Sequence, residues 1–299
     1  MADLQQELLE ATLRHLEGLK ADGVRFVSVS SEAIRALDAK GLAKPSIRIA
    51  TRRESSAATH SSAGPAPSSP QMPTAEFSQR IIATTPRLAP EAKAAAMAEL
   101  RARVLPCRKC EHLAASRKNV VFGVGDIHAA IMFVGEAPGA DEDLQGEPFV
   151  GKAGQLLTKV IQTMGLTRER VYITNVLKCR PDTPGQTSGN RKPTPPEMST
   201  CLPYLQEQIE LIQPKTIVAL GGTAMEGLFG KPVFITKVRG RFCDFRGIPV
   251  MPTYHPSYLL RNAALAVKRE LWEDMLQVME KLAMPINEKQ RGFFLKSGS

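Results

Sequence analysis

From about Pro90 onward, short apolar runs alternate with amphipathic stretches, and this alternation constrains the fold more than any other property of the chain. NVVFGVG, AAIMFVGE, VYITNVLK and TIVALGG are short, rich in β-branched residues and apolar nearly throughout, which predicts strands buried on both faces. Between them lie the helical stretches PEAKAAAMAELRARVL, GKAGQLLTKVIQTMGL and PEMSTCLPYLQEQIELI, and in the second Leu156, Leu157, Val160, Ile161 and Met164 share one face. The short helix TAMEGLF follows the fourth strand. Two more short strands, GRFCDF and IPVMPTYH, precede a long helix predicted from about Tyr258 to Leu282. Strands joined through helices give a mostly parallel sheet covered on both sides, so the expected fold class is α/β, a three-layer α/β/α sandwich with an N-terminal extension.

The extension divides in two. Residues 1–45 hold an amphipathic helix with Leu9, Leu13 and Leu16 in register, a strand at Val24–Ser30, and a short helix capped by Ser30 or Ser31. Residues 46–85 turn rich in Ser, Ala and Pro, too polar to bury a core, and are expected to form a linker. The α/β domain is expected over 86–285, with 286–299 as a C-terminal tail. No run of about 18 apolar residues occurs and the N-terminus lacks a signal-peptide pattern, so membrane association is not expected and a cytoplasmic location is. A net charge of +9 with a pI near 9.4 favours a polyanionic partner, because each cation that meets a phosphate releases a condensed counterion.

Open α/β sheets bind ligands where strands end, and three such ends carry suggestive residues. After IMFV comes Gly135-Glu136-Ala137-Pro138-Gly139, where the glycines let backbone approach a ligand and Pro138 fixes the turn. The same loop carries Phe149, either a stacking face or a core residue. Asn175 ends the VYITN run. Its amide pairs donor with acceptor and so matches a nucleobase edge, or it is a satisfied core asparagine. His255, alone among five histidines, joins a strand to a helix within the regular pattern, with Pro256 and Ser257 forming a turn that holds the ring to face a developing anion. Four of the five cysteines, Cys107, Cys110, Cys179 and Cys201, form a set able to hold zinc or a [4Fe-4S] cluster. Only the first pair has zinc-knuckle spacing, which favours iron and sulfur, and Cys243 reads as a core residue.

Together these segments resemble the uracil-DNA glycosylase superfamily, most closely its iron-sulfur family 4 branch. The matching motifs are Gly135 to Gly139, Gly146 to Gly154 (GEPFVGKAG), Asn175 with Lys178-Cys179-Arg180-Pro181, Gly189-Asn190-Arg191 with Pro193 and Pro195, and His255-Pro256-Ser257. The resemblance implies a monofunctional repair enzyme that flips uracil out of DNA and hydrolyses its glycosidic bond, leaving an abasic site. It implies a uracil pocket of Gly135, Glu136, Ala137, Phe149, Asn175 and His255, with Phe149 stacking on the base, Asn175 bonding its edge and His255 facing O2. Glu136 would lie beside the sugar, and the four cysteines would hold a structural [4Fe-4S] cluster, with zinc as the alternative. Tyr258, Leu259 and Leu260 would fill the gap left in the stack, and Ser257, Arg261 and Arg191 would meet DNA. Ala137 stands where the family 1 enzymes carry their water-activating aspartate, so Asp141, Glu142 and Asp143 are the remaining carboxylates and Asp141 is the choice among them. The segment Asp182 to Ser188 is an insertion, and residues 1–85 lie outside the resemblance, with an unknown protein as their expected partner. The expected working form is a monomer on uracil-containing DNA at the nucleoid. The rival expectation is a non-catalytic, metal-stapled nucleic-acid-binding module.

Overall fold

The structure, a computed structural model, describes residues 86–182 and 190–295. The two N-terminal helices, the strand and the linker expected from the sequence, and nearly all of the insertion after Asp182, lie outside the described residues. The first helix, α1 (Pro90–Val104), opens on a proline whose missing N–H costs nothing at that position, and it buries Lys93, Met97, Leu100 and Val104 along one stripe. Lys93 reaches through the protein to donate to the Ile212 carbonyl at 3.2 Å. A short helix, α2 (Glu111–Ser116), follows.

Among the described residues six strands form one sheet in the order β1-β3-β2-β4-β6-β5. They are β1 (Val124–Gly125), β2 (Ile131–Gly135), β3 (Tyr172–Asn175), β4 (Thr216–Leu220), β5 (Cys243–Phe245) and β6 (Ile248–Thr253). The four inner strands run parallel, and the two edges, β1 against β3 and β5 against β6, are antiparallel. Successive residues of β2 point to opposite layers. Met132 and Val134 join the core under α1 and α5 (Pro195–Ile212), while Ile131 and Phe133 join the core under α4 (Lys152–Thr163) and α9 (Leu265–Lys281). This is the three-layer α/β/α sandwich with a mostly parallel sheet that the alternation predicts.

The remaining helices are α3 (Ala140–Gln145), α6 (Gly222–Phe229), α7 (Ile235–Val238), α8 (Pro256–Arg261) and α10 (Glu288–Gly292). Three boundaries differ from the sequence reading. NVVFGVG pairs only through Val124 and Gly125; Val121 and Phe122 are buried, and Val121 is tied by its N–H to the Lys178 carbonyl. The long final helix is two helices, α8 and α9, because Asn262 leaves the helical region and its side chain accepts from the Ala264 N–H. The tail contains α10, closed by a reciprocal Asn287–Gln290 capping box and docked by a 2.6 Å bond from the Trp272 indole N–H to the Gln290 carbonyl. Among the described residues no helix is long and apolar enough to cross a membrane.

The end of β6 is anchored from behind. Thr253 donates to the buried carboxyl of Asp274 on α9 at 2.6 Å, and Arg239 pairs with the same carboxyl at 2.5 Å. Burial pushes the Asp274 pKa up to about 6 even with this cation beside it.

Helix α6 supplies a stability test. Alanine normally gains about 1 kcal/mol over glycine inside a helix. At Gly227, however, an added Cβ would lie 2.6 and 2.9 Å from the two methyls of Val176, a side chain stiff about χ1. Gly227→Ala is therefore expected to lose about 1–3 kcal/mol through overpacking. Urea unfolding should show a lowered midpoint that Val176→Ala partly restores in the double variant; a stabilised Gly227→Ala protein would refute the contact.

Candidate active site

A cleft of about 540 Å³ opens at the carboxyl ends of the parallel strands β2, β3, β4 and β6. Gly135, last residue of β2, lies in register with Asn175, last residue of β3. A Cβ at Gly135 would overlap both the Asn175 amide oxygen and the Phe149 ring, so the bare backbone lets amide and ring meet at one point. Phe149 itself has φ of +55°, a left-handed conformation that costs an aromatic residue about 1–2 kcal/mol. The Phe149 carbonyl lies against Gly154 in the first turn of α4, where any Cβ would collide with it. Across the cleft the ring faces His255, with centroids 5.6 Å apart and planes inclined at 35°.

The Glu142 carboxylate ties the two arms of this loop together. It accepts from the Gly139 N–H at 3.0 Å and from the Val150 and Gly151 N–H groups at 2.9 Å each. The glutamate sits in the cleft wall yet is fully engaged as a brace. Glu136 also lines the cleft, and its carboxylate makes no hydrogen bond among the described residues.

Asn175 is 1% exposed, and its Oδ1 is buried with no hydrogen-bond partner among the described residues. An unmet buried acceptor costs about 1–3 kcal/mol, so this atom is shaped for a donor that arrives from outside. Behind it, Lys178 is wholly buried and donates through Nζ to the Asn175 carbonyl at 2.8 Å, to Thr174 Oγ1 at 2.6 Å and to Gln208 Oε1 at 2.6 Å. Burial lowers the Lys178 pKa to about 7.

His255 caps α8. Its Nδ1 accepts from the Ser257 N–H at 3.2 Å and lies 2.8 Å from Ser257 Oγ, which leaves Nε2 to carry the proton of the neutral ring. Burial, then the nearby Arg261 cation, lowers its pKa from 6.5 to about 4. The ring is therefore a neutral donor across the physiological range.

On the opposite side of β3, Cys107, Cys110, Cys179 and Cys201 line one small cavity with Leu113, Leu177, Thr200 and Tyr204. Arg117 donates to Cys179 Sγ at 3.1 Å and the Lys178 N–H to Cys201 Sγ at 3.2 Å. Burial raises the thiol pKa of Cys110 and Cys179 and pushes that of Cys201 up to about 12. Among the described residues no three Cys, His, Asp or Glu side chains are arranged to hold a single metal ion.

The cleft thus gathers Glu136, Ala137, Phe149, Asn175, His255, Ser257 and Arg261, all named from the sequence, while Gly135 does not line it but lies against Asn175 and Phe149. Three expected site residues lie elsewhere. Asp141 is exposed and does not line the cleft; its neighbour Glu142 does. Leu259 is buried in the core, and Leu260 is the residue left 50% exposed. Arg191 forms a two-pronged pair with Glu197, which holds that carboxyl down to about 2. Sequence reasoning passed over Gly221 and Gly222 after β4, Ile235 on α7, and Tyr254, although the glycine pair at a strand end was a visible signal.

The histidine geometry is testable without substrate. The His255 imidazole should titrate near pH 4 rather than 6.5 in an NMR titration, with its proton on Nε2. Because the unfolded ring takes a proton at 6.5 and the folded one resists until about 4, its share of stability is complete above 6.5 and is lost as pH falls through that window. A normal titration near 6.5 would mean a solvated ring.

The uracil DNA glycosylase superfamily model matches residues 122–276, which span β1 through most of α9. The type-4 uracil-DNA glycosylase of Thermotoga maritima is 47% identical over 199 residues, covering 66% of this chain and 93% of that protein. Those of Archaeoglobus fulgidus and Saccharolobus solfataricus are 42% and 45% identical, covering 64% and 60% of this chain and 94% and 83% of theirs. With the site residues standing together at the strand ends, the chain belongs to the uracil DNA glycosylase superfamily and is similar to its type-4 members.

Proposed function

We propose that this protein is a DNA-repair glycosylase that extrudes uracil from DNA and hydrolyses the bond between its N1 and the sugar. The observation that carries this reading is the unpartnered Oδ1 of Asn175 on the cleft wall. Uracil offers an N3–H donor to that oxygen and an O4 acceptor to the amide nitrogen. Cytosine offers an acceptor at N3 and a donor at C4, so both bonds fail. A site built on such bonds rejects the mismatched partner by about 10⁴–10⁵.

Phe149 forms the stacking face, and extrusion costs a few kcal/mol, least for a mispaired or single-stranded base. As the C1′–N1 bond breaks, its electron pair moves onto the pyrimidine, and the neutral His255 donates from Nε2 to the O2 that gains charge. Water adds at C1′. Glu136 is the cleft carboxylate with no hydrogen bond among the described residues and is assigned to face that water and the sugar; Asp141, exposed outside the cleft, is not needed for this step. Leu260 enters the vacated stack, and Ser257 and Arg261 hold flanking phosphates. The protein acts as a monomer, at the nucleoid in the cytoplasm.

The four cysteines fit a [4Fe-4S] cluster. Their side chains line one small cavity, and Cys179 and Cys201 each receive an N–H donor suited to a bound thiolate. The cluster would supply a cross-link between α2, the end of β3 and α5, with no part in bond cleavage. Residues 1–85 are assigned to an unidentified protein partner.

Free uracil should be released from U-containing oligonucleotides, with His255→Ala slower by about 10²–10³ in single-turnover rate and Asn175→Ala losing uracil-over-cytosine preference. Tight DNA binding without base release would instead make the chain a binding module. Anaerobically purified protein should contain iron and acid-labile sulfide in equal amounts and lose both in Cys201→Ser; colourless protein with stoichiometric zinc would reverse the cluster assignment.

A further inference from the structure

Arg168 lies in a single turn of 3-10 helix, Arg168–Arg170, between α4 and β3, and does not line the cleft. Its guanidinium nevertheless reaches the loop that carries the stacking ring. Nη2 donates to the Pro148 carbonyl at 2.7 Å, and Nη1 donates to the Phe149 carbonyl at 3.0 Å and to Thr158 Oγ1 at 3.2 Å. Two successive carbonyls are thus held in one fork, and Thr158 is itself fixed by its bond to the Gly154 carbonyl at 3.0 Å. The residue so held is the one with φ of +55°.

The backbone of Phe149 would relax toward an extended conformation if nothing opposed it, because a left-handed aromatic residue is strained. Relaxation would rotate the peptide plane and with it the ring. Gly154 and Gly135 leave room for the strained form but do not enforce it, since missing Cβ atoms exert no pull. Hydrogen bonds from a charged donor are stronger than neutral ones, and two of them on adjacent carbonyls oppose that relaxation. We infer that Arg168 is a positioning residue for base recognition, a guanidinium fork that locks the Pro148–Phe149 backbone and so sets the plane of the ring on which the extruded base stacks. The inference rests on Phe149 being the stacking face. Lysine cannot replace it, because an ammonium has no planar fork to span adjacent carbonyls.

The test is a double-mutant cycle on single-turnover uracil release at saturating DNA, with urea midpoints recorded for every variant. Arg168→Lys should slow the step about 10- to 100-fold, as a displaced positioning group does, with KM little changed. In a Phe149→Ala background the same substitution should change the rate by less than about 2-fold, since the ring it positions is gone. Guanidinium ion added to Arg168→Ala should restore part of the rate and none of the rate of Phe149→Ala. If Arg168→Ala does not fold, the Arg168→Lys cycle stands alone. Equal slowing by Arg168→Lys with and without Phe149 would assign Arg168 to general stability and overturn the inference. A Phe149→Ala enzyme as fast as wild type would instead remove the stacking role itself.

Discussion

Everything at the cleft depends on one absent side chain. Strand β2 ends at Gly135, and the space its Cβ would fill is occupied from one side by the Asn175 amide and from the other by the Phe149 ring. Hydrogen bonding in the sheet sets the first approach, because Gly135 and Asn175 are register partners in a parallel pair. The second requires the loop after β2 to fold back on itself. That return is secured by Glu142, which gathers N–H groups from both arms. The Asn175 amide and the Phe149 ring are therefore brought together by a single close approach between strand end and loop.

Several charged groups between the cleft and the cysteine cavity are held by partners. Glu197 binds Arg191 and His112, and also borders the cysteine cavity. Asn190, next in the chain to Arg191, lines the cleft and donates to the Pro138 carbonyl. One short segment thus touches both the cleft and the cysteine cavity. The buried Lys178 likewise stands between Asn175 and Cys179, with three acceptors around its ammonium group. Such interior charges do little for net stability, since desolvation consumes most of the Coulombic gain, but they fix geometry.

Much of this was legible in the sequence. Short apolar runs gave the parallel strands, because a strand buried on both faces has no polar positions to spare. Asn175 and His255 stood out as polar groups at strand ends, and the cysteines as a set. What was hidden depended on partners distant in sequence. Nothing in the acidic run Asp141-Glu142-Asp143 says which carboxylate turns inward to brace the loop and which faces solvent. Arg191 read as a DNA contact until Glu197, six residues on, claimed its guanidinium. Leu259 and Leu260 are alike in composition, and only the pitch of α8 decides which one enters the core. The break at Asn262 was a local signal, an asparagine able to bond its own backbone, but the flanking helical pattern masked it.

The positions of the cysteines along the chain carry a further consequence. Cys110 lies before β2 and Cys179 just after β3, so β2, the Phe149 loop, α4 and β3 all fall between them. Any group that joins these sulfurs closes that whole stretch into a ring. The two strand ends that meet at Gly135 and Asn175 then belong to one macrocycle, whose unfolded form has far fewer conformations than an open chain. Opening the ring would leave every hydrogen bond at the cleft in place while enlarging the ensemble against which they compete. The cleft at the strand ends and the cavity of the cysteines share no lining residue, yet they are linked through chain topology.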